Sequence, residues 1–137
     1  MINLLPKQLF LFDPLAIFFL VVIALVSLPS AVFSIGYLHE YLPKRKILAW
    51  VLLITFVLSM CLTVISGNLF SFLIFWELMS LSSYFLVVFD HKHEKSVRAG
   101  TIYLIMTHVG TASLMAAFFV LYNHAGSFDY TAVKETA

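Results

Sequence analysis

Charge is missing from this 137-residue chain over stretches long enough to cross a bilayer. No Asp, Glu, Lys or Arg occurs from Pro14 to His39, and none from Ala99 to Phe128. Between Lys46 and Asp90 the only one is Glu77. A soluble domain carries about a quarter charged residues, spread around every element. Here the charged share is 11%, gathered in short connections, against 62% apolar residues. A helix apolar all round has to be solvated by lipid. The chain therefore reads as an all-α, polytopic membrane protein, and a water-soluble enzyme is excluded.

The uncharged runs divide into four transmembrane helices, at about 12–37, 47–66, 69–89 and 99–122, forming one bundle over residues 1–137. Roughly 20 residues rising 1.5 Å each cross ~30 Å of hydrocarbon, so each run is long enough. Four spans make a small bundle, not a large enclosed transporter. Pro29, flanked by Ser27 and Ser30, predicts a kink or local opening in the first helix. That run is too long for a signal-peptide core, follows only Lys7, and precedes no good small-residue cleavage site, so it reads as a span. Ser66-Gly67-Asn68 is short enough to make the second and third helices an antiparallel hairpin.

Basic residues set the expected orientation. Lys44, Arg45, Lys46, Lys92, Lys95 and Arg98 fall on one face of a four-span protein, and only Lys7 and Lys134 on the other. The positive-inside rule then places both termini outside and both basic loops in the cytoplasm. Basic residues confined to short connections leave no nucleic-acid footprint. The polar tail after Tyr122 reads as a surface segment in which Ser127 or Asp129 caps a short helix.

Glu77 carries the most information. It lies near the middle of the third span, where an ionisable group costs on the order of 3 kcal/mol. At 100° per residue Ser80 and Tyr84 share its face, making a polar stripe that must point into protein or water. A carboxyl group in low dielectric can hold a proton near neutral pH and still release it, as a relay requires. The competing reading is a protonated glutamate that only ties helices together. No Lys or Arg lies inside the spans, and His108 is the other ionisable group at comparable depth. Thr101, Thr111 and Tyr122 share its face, so Glu77 and His108 form a proton-handling pair if the two helices meet. A neutral histidine hydrogen-bonded to a neighbouring Ser or Thr fits equally well.

Other features point to less. Ala112 with Ala116, and Ser113 with Ala117, are small-xxx-small pairs suited to helix packing. The His91-Lys92-His93 loop beside Asp90 and Glu94 has metal-binding side chains, but its cations argue against a metal. His39-Glu40 lacks the second histidine of a zinc-protease motif. The lone Cys61 excludes a disulfide or cysteine cluster within the chain. No phosphate loop or nucleophile–base set can be assembled, so an active site for covalent chemistry is not expected.

The stretch Phe75-Trp76-Glu77-Leu78-Met79-Ser80-Leu81-Ser82-Ser83-Tyr84-Phe85-Leu86-Val87 resembles the glutamate-bearing helix of the antiporter-like membrane subunits. These occur in respiratory complex I, Mrp-type cation antiporters and energy-converting hydrogenases. The Met-Ser-Leu-Ser-Ser form looks most like the hydrogenase-4 component B and formate hydrogenlyase subunit 3 branch. Leu11-Phe12-Asp13-Pro14-Leu15-Ala16, Ser34-Ile35-Gly36-Tyr37-Leu38, Ala99 to Tyr103, Thr107 to Thr111 and Gly126 to Tyr130 add to the resemblance. It implies that Glu77 is a proton-channel residue, paired in the family with a lysine on a later helix, and that His108 lies in the same half-channel. Pro29 departs from the family pattern. Family members are much longer chains built from inverted repeats, so the resemblance implies that this chain is the N-terminal-half portion of such a subunit.

The resulting expectation is a proton-translocating membrane subunit, or part of one, in an oxidoreductase of the hydrogenase-4, formate hydrogenlyase or complex I type. Glu77 and His108 would move the proton, supported by Ser80, Tyr84 and Thr111. No cofactor is expected in this chain; metal centres would sit in partner subunits, membrane and peripheral, with the whole in the inner cell membrane. The alternatives are an Mrp-type cation/proton antiporter subunit and a non-conducting assembly scaffold.

Overall fold

The computed structural model describes residues 10–41, 45–89 and 94–136. Five helices follow in order: α1 (Pro14–Tyr41), α2 (Lys46–Ile65), α3 (Leu69–Val87), α4 (Glu94–Ala125) and the short α5 (Tyr130–Thr136). The first four are each long and apolar enough to cross a membrane. α2 packs on α3, α3 on α4, and α1 on α2, an up-and-down bundle in chain order.

Local chemistry explains the ends. Asp13 caps α1 by accepting the Ala16 N–H at 2.8 Å, and Pro14 takes the first helical position, where no N–H is needed. Asn68 caps α3 by accepting the Phe70 N–H at 2.8 Å. α4 ends where Gly126 adopts φ +67° and its N–H returns to the Tyr122 carbonyl, a left-handed cap that suits glycine. α4 is longer than expected at both ends. Its 32 residues rise about 48 Å, so the end carrying Glu94, Lys95 and Arg98 extends past the hydrocarbon.

α1 runs as one continuous helix through Pro29, where a kink or local opening was expected. Pro29 has no N–H to offer the preceding turn. Around it, the Ser30 hydroxyl donates to the Val26 carbonyl and the Ser34 hydroxyl to the Ser30 carbonyl, each at 2.8 Å. Hydroxyls turned back on their own helix are one way a proline is accommodated in a span.

The burial pattern inverts that of a soluble protein. Among the described residues the buried side chains are mostly small and polar: Ser59, Thr63, Ser71, Ser80, Ser82 and Thr111, with Ala16, Ile23, Ala49 and Leu69. Phe12, Phe33, Ile47, Met106 and many other large apolar side chains face outward. Lipid supplies no hydrophobic drive between helices, so small residues that permit close approach occupy the seams. On α4 the seam toward α3 runs Gly100, Leu104, Thr107, Thr111, Leu114 and Phe118, all at least half-buried. The small residues Ala112, Ser113, Ala116 and Ala117 are exposed. The packing expected of them is not made among the described residues.

One end of the bundle is closed by a polar knot. The buried Ser66-Gly67-Asn68 connection is bonded from both sides: the Leu11 N–H donates to the Ile65 carbonyl at 2.8 Å, and the Leu69 N–H to the Phe128 carbonyl at 2.9 Å. Asn68 Nδ2 donates to Asp129 at 3.0 Å, and Tyr122 stacks on Phe128 at 4.4 Å. Burial pushes the Tyr130 hydroxyl above its ordinary pKa, while its hydrogen bond with Ser66 pulls the other way. The tail is thus a lid on the bundle end, where a surface segment was expected. Asp129 precedes α5 at the cap position, but its carboxylate meets Asn68 and the Ser127 hydroxyl. The opposite end carries the exposed Arg45, Lys46, Lys95 and Arg98.

Two substitutions test this packing. A Cβ at Gly100 would run into the Val88 side chain and touch the Tyr84 ring. Gly100→Leu should therefore cost about 1–3 kcal/mol of bundle stability, read from unfolding in mixed micelles. Asn68→Ala removes a cap and a cross-link to the tail together. It should cost about 1–2 kcal/mol and speed amide exchange at Leu69 and Tyr130.

Candidate functional site

Glu77 stands on α3 beside α4, and its Oε2 lies 3.7 Å from His108 Nε2. The α3–α4 packing thus brings Glu77 and His108 together. The Glu77 side chain is 26% exposed and that of His108 51%. His108 follows Thr107 of the buried seam by one position, so its ring reaches Glu77 from the flank of the interface.

The histidine's other nitrogen settles its tautomer. His108 Nδ1 lies 2.9 Å from the Leu104 carbonyl oxygen, which can only accept. Nδ1 therefore carries a proton in that bond, and Nε2 is left to face the carboxyl group. A separation of 3.7 Å exceeds a direct hydrogen bond, and a small rotamer change closes it. Two states of equal total charge are then available: neutral acid with neutral imidazole, or carboxylate with imidazolium. A proton can pass between them with no change of net charge in the membrane.

The supporting residues sit differently. Ser80 is almost fully buried, and its hydroxyl donates to the Trp76 carbonyl at 3.0 Å. Thr111 is buried in the seam and donates to the Thr107 carbonyl at 3.1 Å. Tyr84 packs its ring toward Gly100 and edge-on to Phe85. Among the described residues, the Ser80 and Thr111 hydroxyls thus turn back on their own helices rather than to Glu77 or His108. Thr101, placed by periodicity on the histidine's face, is exposed and bonds the Val97 carbonyl. The His91-His93 loop lies outside the described residues.

Residues that periodicity did not single out also meet here. The Ser83 hydroxyl contacts the Tyr103 hydroxyl across the α3–α4 interface. Phe72 stacks on Trp76 at 5.7 Å and meets Phe118 edge-on at 5.8 Å. Trp76 lines a cleft of about 690 Å³ with Leu11, Phe19, Phe72 and Tyr130, and its buried Nε1 has no hydrogen-bond partner among the described residues.

The family model for the transmembrane region of NADH:quinone oxidoreductase and Mrp antiporter subunits matches residues 66–137, a stretch holding both Glu77 and His108. A second, for the N-terminus of complex I chain 5, matches residues 7–45. The chain belongs to this family.

Among its relatives in the antiporter-like family, hydrogenase-4 component B of Escherichia coli K12 is 31% identical over 89% of this chain and 18% of its own length. NADH-quinone oxidoreductase subunit N of Acinetobacter baumannii AB0057 is 30% identical over 89% of this chain and 24% of its own. NADH-ubiquinone oxidoreductase chain 5 of Anopheles gambiae is 34% identical over 88% of this chain and 20% of its own. The chain thus spans a quarter or less of each of these antiporter-like proteins.

The unpartnered indole gives a direct expectation. An unsatisfied buried donor costs about 1–3 kcal/mol, which offsets the ring area that phenylalanine would lose. Trp76→Phe should change unfolding stability in micelles by no more than about 1 kcal/mol.

Proposed function

We propose that this chain supplies part of a proton path in a membrane subunit of a hydrogenase or complex I type oxidoreductase. The observation that carries the reading is the Glu77–His108 contact: the only charged residue between Lys46 and Asp90 meets an imidazole nitrogen at 3.7 Å. Glu77 holds the transferred proton and His108 Nε2 takes it up and returns it. The Leu104 carbonyl keeps the ring oriented between transfers. Ser80, Tyr84 and Thr111 shape the seam around the pair rather than bonding to it.

His108 is half-exposed on the outer flank of α4, beside a groove lined by Leu104, Ile105, Val109 and Ala112. An imidazole that changes protonation is costly against lipid. This face is therefore covered by further protein, from the same subunit or its neighbours in the complex. Electron transfer takes place on partner subunits carrying the metal centres. With the basic helix ends facing the cytoplasm, the knot at residues 66–68 and 128–130 lies on the outer side of the inner cell membrane.

The family description also names Mrp antiporters, which keeps a second reading in view: cation/proton exchange with no redox partner. Glu77→Gln in the full native subunit separates the possibilities. It should abolish proton translocation in membrane vesicles while insertion and complex assembly persist. Unchanged translocation would leave the chain a scaffold. Sodium-dependent proton exchange without hydrogen, formate or quinone turnover would favour the antiporter.

A further inference from the structure

The Ser83–Tyr103 contact, at 2.5 Å between hydroxyl oxygens, is short and directional. Ser83 donates its one proton to the Ser80 carbonyl at 2.9 Å. Ser83 Oγ therefore accepts, and Tyr103 Oη donates. The bonded series runs from Tyr103 to Ser83 to a backbone carbonyl and stops there. A carbonyl has no proton to pass onward, so the series is a fixed tie between helices and not a conduit.

Few hydroxyls in the seam could serve that purpose. Those of Ser80, Thr107 and Thr111 bond carbonyls of their own helices, which leaves them no directional hold on a neighbour. The carboxyl–imidazole contact is itself too long to hold register. Ser83 lies six residues beyond Glu77, and Tyr103 five residues before His108. In antiparallel helices these offsets are about 9 and 7.5 Å of rise, so the tie and the pair belong to the same seam. Gly100, against Tyr84 and Val88, provides the close approach at that end but has no side chain to fix sliding or rotation. His108 reaches Glu77 from the flank, so a modest turn of α4 about its axis separates them.

We propose that Tyr103, acting through Ser83, is a positioning residue that sets the α3–α4 register in which His108 Nε2 faces Glu77. Its importance for function rests on the proton-transfer reading of that pair; its effect on geometry does not. Tyr103 is on the outside of the bundle, where its ring can be kept while its hydroxyl is removed.

The test uses the full subunit in lipid bilayers, with ¹³C in glutamate carboxyls and ¹⁵N in histidine rings. Solid-state NMR reads the dipolar coupling between the Glu77 carboxyl carbon and His108 Nε2, assigned by its loss in Glu77→Gln. Tyr103→Phe and Ser83→Ala should each reduce that coupling by more than half. The double variant should lose no more than either alone, as expected for partners in one bond. Ser83→Thr, which keeps a hydroxyl, should retain the coupling. Ser113→Ala, which removes an exposed hydroxyl bonded to its own helix, should leave it unchanged. Proton translocation in Tyr103→Phe should fall by up to about 100-fold, the scale of a small misplacement of reacting groups. Wild-type coupling in both Tyr103→Phe and Ser83→Ala would overturn the proposal. Loss of coupling together with unchanged translocation in Glu77→Gln would uphold the positioning role and refute the proton-carrier reading.

Discussion

Hydrocarbon offers no hydrogen bonds, and this one constraint organises the bundle. Ser30, Ser34, Thr63, Ser80, Ser82 and Thr111 lie in helices without water at hand, and each gives its proton to a carbonyl about one turn earlier. Such bonds satisfy the side chain but cannot orient one helix against another. The interior is consequently small and quiet, and orientation falls to the few groups that cross between elements. Among the described residues these include Asn68 with Asp129, Ser83 with Tyr103, and Glu77 with His108.

The three crossings differ in kind. Asn68–Asp129 sits at the bundle end, backed by paired main-chain bonds, and is built for permanence. Ser83–Tyr103 is a single short bond in an apolar surround, where an unmet hydroxyl is costly. Glu77–His108 is looser than either, at a distance that permits contact without enforcing it. For the proton transfer proposed above that looseness is an advantage, since a tightly closed pair would favour one protonation state. Tighter crossings on both sides of a loose one hold it near that distance.

The helix count and approximate spans were legible because charge is excluded from hydrocarbon, and excluded residues leave gaps that can be counted. Helix ends were less so: α4 begins at Glu94 because a helix continues into water once started, and charge no longer marks its limit. The facing edge of α4 was not legible. Every face of this helix is apolar, so periodicity grouped His108 with Thr101 and Thr111, whereas the structure buries Thr111, exposes Thr101 and leaves His108 on the flank. Depth alone suggested Glu77 and His108 as neighbours, and the structure sets them 3.7 Å apart. Ser83 and Tyr103 carried no signal of their own, because pairing between helices depends on rotation about axes that composition does not reveal. The folded-back tail was hidden for a similar reason: Asn68 and Asp129 are 61 residues apart, and each reads as an ordinary local cap.

The knot at the hairpin connection has a bearing on how the protein is made. Leu11 reaches it from one side of the sequence and Phe128 and Asp129 from the other. The short α2–α3 connection is made before most of its partners, which lie at Phe128, Asp129 and Tyr130. The end can close only after α4 has been threaded through the membrane and the tail has come across behind it. Closure of the knot thus requires the tail and the α2–α3 connection to lie on the same side, because a chain with α4 left on the wrong side would not bring Asp129 to Asn68.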